Sequence, residues 1–409
     1  MLVSVPLTSG YLGEERYAVW LSVSSFVALL TFADLGIGVG LLNAVSHAFG
    51  KDDVAAARRH IATALALLMS ICIVLISVGL LLMQTDIWAE VFNVKTPIAR
   101  SEVNTAATLF MIMTALNLPL GVVQRVQLGF QEGAPSYIWQ ALGSLLGLAL
   151  LVLAVRFRLG LPWLILAYMG GPALASLANG VLYFGVRRPE LRFSRKWIHR
   201  ESARILLRTG VGFVILQILV AVTNSMDYII IAQRLTSGDL AGYSLTVRLF
   251  SVIMLLIGTV TAALWPAFSE AHSRGDHGWL SSTFEKAVRI SFATMAIGSV
   301  VVMVTGQWLV DKWSVGSVSI GLTLLAARAC YSLVDSVVGV TGTLLSSMNM
   351  IWIQVIAIGS YVAVSLIAKP WAADVAGVTG IAGVGALAMG LFVLWPLWRS
   401  AAGTLSKVS

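Results

Sequence analysis

The sequence predicts an all-α integral membrane protein, and three observations carry that prediction. Charged residues make up 11% of the 409 residues and apolar ones 58%, whereas a soluble chain carries roughly 25% charged residues to cover its water-facing surface. Uncharged apolar runs long enough to cross a bilayer recur from one end of the chain to the other. The basic residues sit between those runs, a placement that points to membrane orientation and away from nucleic acid as a partner.

Ile61–Met83, Asn104–Val123, Tyr137–Val155, Leu159–Val186, Leu249–Ser269, Ile290–Val310 and Val375–Trp398 are each long enough for one span. Tyr17–Gly50 is broken only by Asp34, and Thr209–Gln233 only by Asp227. Trp313–Ala368 has room for two spans, with Arg328 and Asp335 in the first and a turn at Ser346–Met350 between them. Met1–Leu7 is apolar but too short to cross at 1.5 Å per residue, and it lacks the basic region of a signal peptide. It reads as the tail of a further helix, so that about 12 spans are expected with the first one incomplete. The glycines, 37 in all, suit close helix packing in lipid.

Alternating the loops gives the orientation. Lys51, Arg58, Arg59, Arg125, the run Arg187 to Arg208, Arg274, Lys286, Arg289, Arg399 and Lys407 fall on one side; Arg16, Lys95, Arg100, Arg156, Arg158, Arg234, Lys312 and Lys369 fall on the other. The richer side is the cytoplasmic one by the positive-inside rule. Trp20, Trp139, Trp163, Trp265, Trp308, Trp352 and Trp398 lie near predicted span ends, where interfacial aromatics belong.

The chain also repeats itself. Tyr17 leads into a long span followed by His47, Gly50, Asp52 and Asp53; Tyr243 leads into another followed by His272, Gly275 and Asp276. Ile138–Trp139 and Ile351–Trp352 each open a span after a short polar turn. Parallel halves of this kind commonly enclose a substrate path. The boundary is expected in the basic connector, giving an N-terminal bundle over residues 1–197 and a C-terminal bundle over 198–409.

Enzyme chemistry has little to build on. Gly50-Lys51 is followed by Asp52 and lacks the upstream glycine of a nucleotide loop. Cys72 and Cys330 lie in apolar stretches, and the five histidines show no metal-ligand spacing. No cofactor, no metal and no catalytic residue is expected. The informative residues are charges at membrane depth: Asp34, Asp227, Arg248, Arg328 and Asp335. Each costs about 2.5–3.5 kcal/mol at the bilayer centre even on a lenient scale, so each must face a cavity or a partner. Polar neighbours share their helix faces: Gln217 and Asn224 with Asp227, Ser244 and Ser251 with Arg248, and Tyr331 with Arg328 and Asp335. Any one of these charges reads equally as a structural pair or as a substrate contact; the set reads as a polar lumen. The glycines Gly36, Gly38 and Gly40 read as helix packing, and Asp34 stays open between the two roles.

The string Tyr11-Leu12-Gly13-Glu14-Glu15-Arg16-Tyr17-Ala18-Val19-Trp20 resembles the opening of Wzx-type polysaccharide flippases, which belong to the multidrug/oligosaccharidyl-lipid/polysaccharide superfamily. Asp34-Leu35-Gly36-Ile37-Gly38, the Gly50–Asp53 loop and Ser237–Tyr243 are similar to further motifs of that family, and Ala18 departs from its usual glycine. The resemblance implies two pseudo-symmetric six-helix bundles around a central cavity. It implies alternating access that carries an undecaprenyl-diphosphate-linked glycan across the cytoplasmic membrane for exopolysaccharide or O-antigen synthesis. Arg248 and Arg328 would hold the diphosphate or acidic sugars, and polysaccharide polymerase machinery would be a partner of a monomeric transporter. A first rival is an ion-coupled drug exporter of the same superfamily, with Asp34, Asp227 or Asp335 binding H⁺ or Na⁺. A second is a membrane scaffold without transport, for which the intramembrane charges would tolerate neutral replacement.

Overall fold

A computed structural model describes residues 34–85, 87–91, 97–314 and 320–406. Among these the protein is built of helices with no strand. In chain order they are α1 (Ile37–Gly50), α2 (Val54–Leu82), α3 (Ile87–Val91), α4 (Pro97–Leu120), α5 (Val122–Gly129), α6 (Gly133–Arg156) and α7 (Leu161–Leu182). There follow α8 (Arg200–Arg234), α9 (Ser237–Arg274), α10 (His277–Ser314), α11 (Leu322–Ser347), α12 (Ile351–Ala388) and α13 (Trp395–Ser406).

Nine helical stretches among the described residues are long and apolar enough to cross a membrane. The last, Ile351–Leu405, runs for 55 residues and breaks at Ala376–Gly377, where Gly377 has φ +58°, so it holds two of the expected spans. α1 is the end of the Tyr17–Gly50 run. Met1–Leu7 and the Tyr11–Trp20 motif lie outside the described residues. The turn expected at Ser346–Met350 is present, with α11 ending at Ser347 and α12 beginning at Ile351. Large apolar side chains such as Ile73, Val304 and Ile367 stand fully outward, which only lipid tolerates over so much of a surface.

One expectation fails here. The charge pattern puts Lys369 in an outer loop after a span ending at Ala368. It lies inside α12, which continues through Lys369-Pro370 to the break at Ala376–Gly377, and its side chain is 0% exposed. Proline usually ends a helix because it lacks an N–H and crowds the preceding turn, but a membrane helix tolerates it where neighbours cover the freed carbonyl.

Contacts divide the chain into two units, Met1–Val211 and Gly212–Ser409, with the division inside α8. In the first unit, Ile37, Leu41 and Val45 of α1 pack with Ile61 of α2, Val126 of α5 and Leu206 of α8. Gly36 adopts φ +70°, and a Cβ there would lie 2.3 Å from the Gly210 carbonyl oxygen, so the chain can cross α8 here only as glycine. α6 and α7 meet as closely: a Cβ on Gly171 would lie 2.1 Å from the Gly147 nitrogen. Gly171→Val is therefore expected to destabilise the unit by about 3 kcal/mol or more, the upper end of overpacking. Gel filtration in detergent should show loss of the monodisperse protein, with Gly180→Ala, which faces open space, unaffected.

The repeat has a structural counterpart. Asp53 accepts from the Ala56 amide at 2.8 Å and starts α2; Asp276 accepts from the Trp279 amide at 3.0 Å and starts α10. Each cap follows one of the paired His-x-x-Gly segments. Replacing either Asp with Ala should cost about 1 kcal/mol, read as a lower unfolding temperature in detergent. The turn before α6 and the turn before α12 also match. Gln131 and Asn349 both take positive φ, +59° and +61°, and the same carbonyls, three, four and five residues back, close each turn. This alignment pairs Gly133 with Ile351, so Ile138–Trp139 and Ile351–Trp352 are not equivalent positions. The similar dipeptides stand at different distances from equivalent turns.

Candidate functional site: a buried charge cluster in the second unit

The second unit brings four of its helices together around two carboxylates and two cations. α8 carries Asp227, which is 7% exposed. Lys369 Nζ, from α12, donates to Asp227 Oδ1 at 2.5 Å, and the Tyr243 hydroxyl, from α9, donates to Asp227 Oδ2 at 2.6 Å. Lys369 Nζ also donates to the Tyr361 hydroxyl oxygen at 3.0 Å, one helical interval of eight residues back along α12. A buried carboxylate and ammonium are each costly alone; here every Asp227 oxygen has a donor and the ammonium has two acceptors, so the pair is held by hydrogen bonds as well as charge. Tyr228 packs edge-on against Tyr243, with ring centroids 5.8 Å apart, and walls that side of the pair.

α11 supplies the rest. Its spacing of three and four residues sets Arg328, Tyr331 and Asp335 along one face, and the Arg328 guanidinium lies over the Tyr331 ring at 4.4 Å. The Arg328 Nε is buried with no hydrogen-bond partner among the described residues. Asp335 has no hydrogen bond among the described residues either, and it keeps part of its surface accessible. The cluster is neutral as a whole, yet one pair within it is closed and one cation and one carboxylate are left open. A planar guanidinium at membrane depth whose Nε has no partner among the described residues matches phosphate, whose oxygens accept from its fork.

Four of the eight expected residues, Asp227, Arg328, Tyr331 and Asp335, are thus brought together. The other four are not. Gln217 is half-buried and Asn224 exposed on α8, without hydrogen bonds among the described residues. Arg248 is exposed on α9, and the neighbouring Ser244 and Ser251 hydroxyls donate to carbonyls of their own helix instead. Asp34 belongs to the first unit. Its Oδ1 accepts from the Gly36 amide at 2.8 Å and its Oδ2 from the Gly38 amide at 3.2 Å, so it caps the start of α1. Three residues of the cluster escaped the sequence reading: Lys369, Tyr243 and Tyr361. The signal for Lys369 was a lone cation between Ala368 and Pro370 inside an apolar run; the adjacent proline made it read as a helix end.

Among the described residues no group of His, Cys, Asp or Glu could hold a metal ion.

Residues 1–272 match the model of a family described as polysaccharide biosynthesis protein. The chain belongs to that family. Among its curated relatives is a Salmonella typhi protein named "Putative O-antigen transporter", 26% identical over 272 residues, which cover 66% of this chain and 61% of that protein. A Yersinia pseudotuberculosis protein named "Putative O-antigen export protein" is 21% identical over 320 residues, 75% of this chain and 70% of that one. The chain thus spans about three fifths of the length of the Salmonella relative. The fold is that of a multidrug resistance MATE transporter of the MOP superfamily solved in an outward-facing conformation, with TM-score 0.81 at 14% identity over 100% of this chain and 92% of that one. A MOP superfamily transporter from Pyrococcus furiosus gives TM-score 0.78 at 13% identity, over 100% of this chain and 91% of that one.

Proposed function

We propose that this polysaccharide biosynthesis family member translocates a lipid-linked glycan across the cytoplasmic membrane, with its diphosphate held by Arg328. The observation that carries the reading is the family match over residues 1–272, joined to relatives named for O-antigen transport and export. The chemistry is consistent with it. A glycan cannot cross hydrocarbon unaided because its hydroxyls would lose their water. Arg328 offers an Nε that has no hydrogen-bond partner among the described residues, and an anion would give it one. The lipid chain can stay in the bilayer throughout. No bond is made or broken in this reading: the protein binds, shields and releases. Polymerase machinery that consumes the flipped glycan is the expected partner, and a monomer suffices.

Gene deletion should leave lipid-linked glycan in the cytoplasmic leaflet and remove polymer from the cell surface, and a plasmid copy should reverse both. Unchanged leaflet distribution and unchanged surface polymer in the deletion strain would sink the reading.

A second reading, ion-coupled export of drugs, draws on the multidrug transporter fold and on the carboxylates Asp227 and Asp335. It predicts drug sensitivity in the deletion strain with normal surface polymer.

A further inference from the structure

The segment that joins α7 to α8 is ordered and strongly basic. α7 widens at Tyr183–Arg187, two short turns follow at Pro189–Leu191 and Arg195–Trp197, and α8 begins at Arg200. Leu191 is 2% exposed and belongs to the same core as Tyr183 and Ile61. Arg188 donates to Glu132 Oε1 at 3.0 Å, and Arg192 donates from Nε and Nη2 to the Phe184 and Gly185 carbonyls at 3.1 and 2.8 Å. The His199 amide donates to the Thr63 hydroxyl of α2 at 3.1 Å, and the Arg58 guanidinium, also from α2, lies over the Trp197 ring at 4.7 Å. The connector is therefore a fixed surface of the first unit and not a slack linker.

Beyond Arg192, five cations remain without such contacts. Arg195, Lys196, Arg200, Arg204 and Arg208 are exposed, and their side chains have no ion pair or hydrogen bond among the described residues. Glu201 is the one acid between Arg195 and Arg208. Arg200, Arg204 and Arg208 stand four residues apart on the outer face of α8, opposite Ser202 and Leu206, which are 4% and 0% exposed. Orientation in the bilayer accounts for the number of these charges but not for their fixed display. Nor does α8 gain stability from them, because cations at the start of a helix oppose its dipole. Apolar side chains face outward beside the row: Phe193 is 50% exposed and Ile198 41%. Arg208 is followed directly by the uncharged run that starts at Thr209, so the row borders the bilayer.

We propose that the connector and the first turns of α8 form a docking surface for anionic phospholipid, in the leaflet on the side that the basic residues mark as cytoplasmic. Guanidinium forks donate to headgroup phosphates, while the exposed apolar side chains enter the boundary of the acyl chains. Headgroups reach the row without leaving their own layer. The surface is already ordered, so binding costs little further conformational freedom. Each basic residue near an anionic leaflet strengthens the attraction about fivefold. A headgroup that meets two arginines of the row, beside the one opposing acid, is then favoured over a zwitterionic one on the order of tenfold. The proposal goes beyond the transport reading and does not depend on which molecule is carried.

The test uses the purified full chain, immobilised in neutral detergent and equilibrated with equal amounts of phosphatidylglycerol and phosphatidylcholine that have the same acyl chains. The lipid retained is quantified by mass spectrometry. Wild type should retain phosphatidylglycerol in preference, on the order of tenfold. The triple variant Arg200→Gln, Arg204→Gln and Arg208→Gln should lose the preference and still retain phosphatidylcholine. The double variant Arg156→Gln and Arg158→Gln, whose charges fall on the other side of the membrane, should keep it. In wild type alone, raising salt from about 0.05 to about 0.5 M should remove most of the preference, because exposed charges are screened. Equal retention of the two lipids by wild type overturns the proposal. So does a preference that the triple variant keeps, or one that salt leaves unchanged. A wild type that shows no preference for phosphatidylglycerol but retains undecaprenyl-diphospho-N-acetylglucosamine, and loses it in the triple variant, overturns phospholipid as the occupant and gives the surface to the glycan lipid. None of these outcomes bears on Arg328, which the triple variant leaves in place.

Discussion

Lys369→Met is expected to unfold the second unit or to leave little of it in the membrane. The substitution keeps the volume of the side chain but strips Asp227 of its counter-charge, leaving a carboxylate that is 7% exposed with only the Tyr243 hydroxyl to meet it. Breaking a buried pair by removing one partner typically costs about 3–5 kcal/mol, a large share of the 5–15 kcal/mol that holds an ordinary domain together. The companion variant decides the cause. Asp227→Asn combined with Lys369→Met removes both charges at once, and replacing a buried pair by uncharged groups is often nearly neutral. Thermal unfolding in detergent should therefore show a sharp drop for the single variant and recovery of most of it in the double. A single variant as stable as wild type would mean that water reaches the pair.

Arg328→Ala is expected to abolish glycan export with normal amounts of folded protein. Truncating one partner of a hydrogen-bonded charge contact costs about 2–5 kcal/mol, which at the lower bound is roughly thirtyfold in affinity. The residue has no hydrogen bond from Nε to lose among the described residues and rests on the Tyr331 ring, so its removal breaks fewer contacts than removal of Lys369. Arg328→Lys should recover part of the export, because a point charge remains but the planar fork is lost. Surface polymer measured per unit of folded protein separates this outcome from simple instability.

Most of the architecture was legible because the bilayer imposes it. Apolar runs of spanning length and the polar turn at Ser346–Met350 leave few ways to fold in lipid, and the helices fall where those runs are. What the one-dimensional pattern could not carry was which charges meet. Arg328, Tyr331 and Asp335 share a face because they share a helix, and spacing alone gives that. Asp227 meets Lys369 from 142 residues away, a contact set by the packing of α8 on α12 that no spacing encodes. Lys369 was lost for a local reason as well, since Lys-Pro reads as a helix end in water but not where neighbours enclose it. The spacing around Asp34 does not show that its oxygens accept from the Gly36 and Gly38 amides. Arg248 looks equivalent to Arg328 by charge and surroundings, yet it is exposed on α9 while Arg328 lies over the Tyr331 ring in the cluster. Helix rotation separates them, and the apolar residues around each are too uniform to reveal it.

The measurement that tests the central claim most directly is transbilayer movement of a fluorescent undecaprenyl-diphospho-sugar in liposomes holding the purified chain. A membrane-impermeant reductant quenches label in the outer leaflet, so label that flips outward is lost in turn. The account predicts that quenching proceeds to near completion with wild type and stops at the outer-leaflet share with Arg328→Ala. Quenching that stops at that same share with well-folded wild-type protein would contradict it.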